Sequence, residues 1–211
     1  MISYSDGGTG GGFRLGGPLQ RMVQHWVTGA TLGPPSGVPM AAIEELPGGQ
    51  HGSELVFRAG MEPSPTDVIR PPSEREFVDG LWKRNVVECF LGNPVTGRYL
   101  EIHLAPTHQW WACLFRGERQ REQPAGHPLP LSHVRQSTAR GNTYWEGEVR
   151  VPVVVLQSLL EVHSLRDLRG NLTAVWYPPG GHACYFSLAR LPGDRPDFHQ
   201  PGHWLPLSGN V

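Results

Sequence analysis

An all-β fold, an antiparallel β-sandwich with one short helix, is predicted for this 211-residue sequence by three observations. The chain is punctuated throughout by 27 Gly and 21 Pro. That is well above the roughly 12% average for the pair, and both residues weaken helix interiors. Between the punctuation lie short runs with a two-residue apolar alternation, the period of a half-buried strand. A 38% hydrophobic content with 7 Trp, 7 Phe and 5 Tyr is enough for a packed core. Many short strands with frequent turns favour a sandwich of immunoglobulin-like or jelly-roll type.

Residues 1–18 carry clustered glycines (Gly7–Gly8, Gly10–Gly12, Gly16–Gly17) and read as a flexible tail. A single domain over residues 19–211 is expected to follow. A first strand is expected within Leu19–Thr28, and few periodic apolar stretches occur before residue 50. From Ser53, Leu55, Phe57 and Ala59 alternate with Val56 and Arg58 as in a strand. Pro63, Pro65, Pro71 and Pro72 then mark a loop that cannot pair into a central strand.

Arg84–Leu91, Arg98–Leu104 and Gln109–Phe115 follow as three strands in a meander. In the second, Leu100, Ile102 and Leu104 share one face, and Tyr99, Glu101 and His103 the other. Trp110 and Trp111, adjacent in the third, must point to opposite faces. At least one of them is therefore expected outside the core or under a loop. Residues 116–142 are too long for a hairpin turn and read as a functional or mobile loop. Tyr144–Val151 alternates again. Pro152 opens Val153–Leu160, read as one or two helical turns. Asn171–Tyr177 and His182–Ala189 form a hairpin around a Pro-Pro-Gly-Gly turn, and His203–Leu207 adds a terminal strand. The expected total is eight to ten strands.

Eighteen Lys+Arg against 19 Asp+Glu gives a net charge of -1. Without a basic stripe, nucleic acid is not an expected partner. No apolar run is long enough for a membrane span. The N-terminus lacks the charged and apolar regions of a secretory signal, so a cytoplasmic location is the default expectation. Cys89, Cys113 and Cys184 are three widely spaced cysteines without a CxxC pattern, expected as free, buried thiols.

None of the 10 histidines falls in an HxH or HExxH pattern, so no metal site is expected from them. His103, beside Glu101 on the polar face of its strand, is the best single site candidate. Nucleophile motifs such as GxSxG are absent, and the GGTGGG run has no preceding strand to make it a phosphate loop. Glu88 and Glu101 lie on neighbouring strands and can face one another, the one feature that suggests glycoside hydrolysis. The seven tryptophans are more informative. An exposed indole stacks on the C–H face of a sugar ring while polar neighbours take its hydroxyls.

Leu81–Leu91 (LWKRNVVECFL) resembles the W-x-x-D-x-V-E-x-F strand of family 9 carbohydrate-binding modules and their DOMON-like relatives. Arg98–Trp111 resembles the paired strand that follows, and Trp145–Leu156 the W-x-x-E-x-x-I-P-x-x-x-L strand. Arg169–Tyr177 is similar to the R-x-N strand start, and Phe198–Leu207 to the closing F-H-x-P segment. The pieces cover about half the chain in the family's order. The resemblance implies an antiparallel sandwich in which two Trp side chains hold a terminal sugar. Trp82 and Glu88 fall where the first Trp and the motif carboxylate fall. The place of the second Trp reads Phe186–Asp194, without one, which leaves Trp176 or Trp204 for the role. Asn85 stands where an Asp is common. Small bacterial DOMON-like proteins have this stand-alone form. Structural calcium occurs in the family, with no acidic cluster here that can be matched to it.

The expectation is thus a non-catalytic module that binds a saccharide or similar polar small ligand. Trp82 is its stacking platform, with Glu88, Arg98, Glu101, His103 and Trp176 as further binding residues. A haem-binding DOMON-type module is the alternative, with His103 and Met61 as conceivable axial ligands. An enzyme resting on the carboxylate pair and a scaffold domain without a small ligand also stand open.

Overall fold

In a computed structural model, the structure describes residues 39–47, 52–63, 67, 76–126, 129, 145–178, 182–193 and 196–207. It describes the backbone alone of 13–14, 20–21, 23–27, 134–137 and 208. The strands are β1 (Phe13–Arg14), β2 (Gln20–Arg21), β3 (Val23–Val27), β4 (Met40–Leu46), β5 (Glu54–Met61), β6 (Glu76–Phe77) and β7 (Val86–Gly92). They continue with β8 (Tyr99–Leu104), β9 (Gln109–Phe115), β10 (Val134–Ser137), β11 (Trp145–Pro152), β12 (Arg169–Trp176), β13 (Cys184–Ser187) and β14 (Leu205–Ser208). One α-helix, α1 (Val153–Leu160), is present among the described residues.

Two sheets form the sandwich. The larger runs β1-β14-β12-β7-β8-β9-β6, with β13 beside β12 and β3 beside β13. The smaller runs β10-β11-β5-β4-β2. The inner faces meet through Val87, Cys89, Leu100, Ile102 and Trp110 of the larger sheet and Ile43, Phe57, Met61 and Trp145 of the smaller. The predicted alternation therefore sets the inner face. It does not leave the other face wet: β7, β8 and β9 are buried at every position. A second apolar layer of Val86, Phe90, Tyr99, Trp111 and Phe115 lies on the outer face of the larger sheet. Leu81, Leu191, Phe198 and Trp204 cover it from flanking segments. Trp110 faces the sandwich interior. Trp111 lies on the outer face, where its indole N–H donates to the Ala125 carbonyl at 3.0 Å, so it is under a loop as the pairing of faces requires.

The meander, the 169–187 hairpin and the terminal strand form as expected. The helix has two turns, entered from Pro152 and closed by Glu161 in the left-handed region (φ 56°). Three expectations change. Met40–Leu46 forms a full strand antiparallel to β5 inside the stretch read as aperiodic. Its Ala41 and Ile43 are small or single apolar residues beside Glu44 and Glu45, a weak signal. Residues 116–126 fold back on β9, with Glu122 N–H donating to the Leu114 carbonyl at 2.8 Å, and β10 pairs with β11. Strands number fourteen among the described residues, because pairs as short as Glu76–Phe77 join the sheet edges. The glycine-rich segment 1–18 falls outside the described residues except at Phe13–Arg14, which runs parallel to β14. No described helix is long and apolar enough to cross a membrane.

Candidate functional site

The register of the larger sheet lines up four side chains in a row across it. Thr173 on β12 lies opposite Glu88 on β7, Glu88 opposite His103 on β8, and His103 opposite Trp111 on β9. In the next row Phe90 lies opposite Glu101. Side chains two apart on a strand share a face, so Glu101 and His103 converge with Glu88 on the outer surface. All three are at least 96% buried.

His103 Nε2 is 2.6 Å from Glu101 Oε1 and 3.4 Å from Glu88 Oε1. The Thr173 hydroxyl donates to Glu88 Oε2 at 2.6 Å. Two atoms of the cluster, Glu101 Oε2 and His103 Nδ1, are buried without a hydrogen-bond partner. Burial raises the Glu88 carboxyl above its usual range, and the Glu101 charge adds to this against the lowering pull of His103 and Thr173. Burial alone would lower His103, but Glu88 and Glu101 outweigh it and hold the imidazole above its ordinary value. His199 is lowered, chiefly by burial.

Above the row opens a cavity of about 470 Å³, within the range of small-ligand sites. Glu88 and Glu101 line its floor; Trp82, Arg121, Tyr177 and His199 are among its walls. Trp82 sits on the short 3-10 turn Leu81–Lys83, whose entry residue Gly80 has φ 87°. The indole is 39% exposed, one of three exposed large hydrophobic side chains among the described residues. Its edge meets Trp111 at 6.2 Å and His103 at 6.3 Å between ring centroids. The Arg121 guanidinium lies 5.4 Å from the Trp82 ring centroid and 4.7 Å from that of Trp111, and a bidentate pair with Asp79 holds it there.

Behind the cavity-lining Arg119 and His199, Tyr99 accepts from the Arg119 backbone N–H at 3.1 Å and pairs with His199 Nδ1 at 2.7 Å. With the phenol as donor, His199 carries its proton on Nε2, 3.8 Å from the orphaned Glu101 Oε2.

The structure thus brings together four of the six residues singled out from the sequence: Trp82, Glu88, Glu101 and His103. Arg98 is elsewhere. Its guanidinium donates to the Leu159 carbonyl at 2.8 Å and to Glu122 at 2.6 Å, tying β8 to the end of α1. Trp176 faces the sandwich interior and belongs to the inner cluster, since β12 alternation sends Val175 and Tyr177 to the cavity instead. Trp204 packs under the site on Phe90 and Tyr99. Asn85 accepts from the Tyr177 N–H at 2.6 Å and donates to Asp67 at 2.7 Å, so it fastens the Trp82 turn to β12. Met61 is buried between the sheets while His103 is on the outer face, so the two cannot flank one haem. Arg119, Arg121, Tyr177, Tyr185, Phe198 and His199 were not legible as site residues. Two come from the 116–126 excursion and two from the segment after β13, and no periodicity places either over the sheet.

Structural calcium, implied by the resemblance, finds no fitting shell in this cluster. The trio Glu88, Glu101 and His103 is a group close enough to share an ion, and its imidazole does not suit the all-oxygen coordination of calcium.

No protein-family model matches the sequence. The chain is similar to the mouse (Mus musculus) UPF0462 protein C4orf33 homolog, 32% identical over 137 residues, covering 62% of this chain and 64% of that protein. It is also similar to the human (Homo sapiens) UPF0462 protein C4orf33, 34% identical over 125 residues and 56% of each chain. The chain thus spans less than two thirds of the length of these curated relatives. Both are vertebrate proteins and give no support to a bacterial origin. Among solved structures, a candidate carbohydrate-binding protein from Bacteroides uniformis shares the fold. Its TM-score is 0.55 at 14% identity, over 82% of this chain and 79% of the other.

Proposed function

We propose that this protein is a non-catalytic saccharide-binding module whose site is the cavity on the outer face of the larger sheet. One observation carries the reading. Trp82 is the exposed aromatic at the cavity mouth, and the floor beneath it holds two carboxylates within reach of a ligand. An indole above and acceptors below is the arrangement that takes a sugar ring by its C–H face and its hydroxyls. The fold shared with a candidate carbohydrate-binding protein is consistent with it. Tyr177 and Tyr185, which also line the cavity, supply the second aromatic wall that the sequence lacks at Phe186–Asp194.

Intrinsic fluorescence titrated with a panel of mono- and oligosaccharides tests the reading. A saturable change is expected in the wild type, at least about tenfold weaker in Trp82→Ala, a loss of about 1.4 kcal/mol. Trp82→Phe should retain part of the affinity. Silence across the panel, or identical binding by Trp82→Ala, overturns the proposal.

A further inference from the structure

The geometry points to a divalent transition-metal site at the cavity floor, with Glu88, Glu101 and His103 as its three protein ligands. Donor atoms of these residues all lie within 4.8 Å of one another. Glu88 Oε1 and Glu101 Oε1 both turn toward the same imidazole nitrogen, His103 Nε2, at 3.4 and 2.6 Å. One proton on that nitrogen serves one carboxylate well and leaves the second carboxylate at long range. A doubly charged cation in the same space serves all three.

A second observation is independent of this convergence. Glu101 Oε2 is buried with no hydrogen-bond partner, and its side chain, 95% buried, lines the cavity. A buried acceptor left open costs free energy unless something occupies it.

Two carboxylate oxygens and one imidazole suit Zn²⁺, Mn²⁺ or Fe²⁺ rather than calcium or magnesium. Three protein ligands on one side leave the cavity side open, so the ion can take water or ligand oxygens there. The surroundings are organised around the trio. Thr173 fixes the outer oxygen of Glu88 at 2.6 Å, the kind of support that orients a metal carboxylate. Tyr99 pairs with His199 at 2.7 Å, and His199 Nε2 stands 3.8 Å from Glu101 Oε2. The site stands apart from the saccharide reading, because the ion is measured with no sugar present.

The full-length protein, stripped with chelator and dialysed, is titrated with Zn²⁺, Mn²⁺ and Ca²⁺ by calorimetry. One equivalent of Zn²⁺ or Mn²⁺ is expected, with Ca²⁺ much weaker. Glu101→Gln should weaken binding at least about 100-fold, and Thr173→Val about tenfold, as loss of an outer-shell partner does. Circular dichroism and melting confirm that each variant is folded. A spectroscopic readout on the wild type decides the matter without any variant. Bound Co²⁺ should quench tryptophan emission at one equivalent, since Trp111 lies 4.9 Å from the His103 ring. Absence of stoichiometric binding, absence of quenching, or binding unchanged in folded Glu101→Gln overturns the proposal.

Discussion

Thr173 shows how much a single hydroxyl decides. It is fully buried, and its O–H is the hydrogen-bond donor to Glu88 Oε2, at 2.6 Å. Thr173→Val keeps the volume and removes the donor, so Glu88 Oε2 loses its hydrogen bond to the strand beside it. The expected cost is about 1–3 kcal/mol, read as a lower denaturation midpoint at unchanged slope. Gly92 poses the opposite problem, one of space. A Cβ there would lie 2.9 Å from Trp204 Cζ3 and 3.1 Å from Tyr99 Cβ. Gly92→Ala should therefore destabilise by about 1–3 kcal/mol through overpacking, checked in the same denaturation experiment. The cysteines give a third test at this scale. All three are free and buried, and burial pushes each thiol up, that of Cys113 to about 12. A thiol-specific reagent at pH 8 should leave the native protein unmodified and label all three in denaturant. Rapid native labelling would show that one of them opens to solvent.

Among the elements, the solvent face of the smaller sheet carries a cross-strand charge ladder. Arg58 on β5 lies directly opposite Glu148 on β11 and pairs with it at 3.0 Å and with Glu44 on β4. Arg150 adds a contact to Glu148 at 2.6 Å. Burial works to raise the Glu148 carboxyl, but the two guanidinium groups overcome it and hold the group below its ordinary value of 4.5. A carboxylate depressed in the folded state stabilises above its unfolded value, and the gain disappears as pH falls through the folded value. The stability difference between wild type and Glu148→Gln should accordingly be about 0.2–1 kcal/mol above pH 5 and vanish only once the pH has fallen through the folded value, which lies below 4.5. A difference that grows on acidification would exclude the ladder as its source. At this scale the sequence is legible where one face is apolar and the other is not, as in β11, with its strict in–out pattern. The meander strands also read correctly, because Leu100, Ile102 and Leu104 mark the inner face whatever covers the outer one. Periodicity could not tell a solvated polar face from one closed by a distant segment, so Tyr99, Glu101 and His103 read only as the polar face of their strand. The site was half legible for the same reason. The motif strand and its neighbour supply Trp82, Glu88, Glu101 and His103 locally, whereas Arg121 and His199 reach the cavity only through long-range packing.

Across the whole molecule, the two faces of the larger sheet differ in what holds them closed. The inner face is sealed by another sheet, β4, β5 and β11, joined through extended backbone ladders. The outer face is covered from separate segments, among them residues 196–204, a stretch outside the strands that is attached by a few side chains. Trp204 is its anchor: it is 99% buried, donates to the Phe198 carbonyl at 3.1 Å, and packs within 5.3 Å of the Phe90 ring and 5.2 Å of the Tyr99 ring between centroids. His199 to Tyr99 and Arg119 to Asp197, both 2.7 Å, complete the attachment. Few backbone hydrogen bonds cross this boundary, so local opening should require less free energy than global unfolding. Amides of residues 198–204 should exchange through a sub-global opening, while those of β7 and β8 exchange only with global unfolding. Trp204→Ala should cost about 3–5 kcal/mol, bring the opening of 196–204 close to zero, and expose Phe90 and Tyr99 to a hydrophobic dye. Because His199 and Phe198 line the cavity, the same variant should weaken ligand binding although Trp204 itself is not among its walls. If residues 198–204 exchange no faster than β7 in the wild type, the strap is as firmly built in as the second sheet, and the cavity is a fixed feature of the fold.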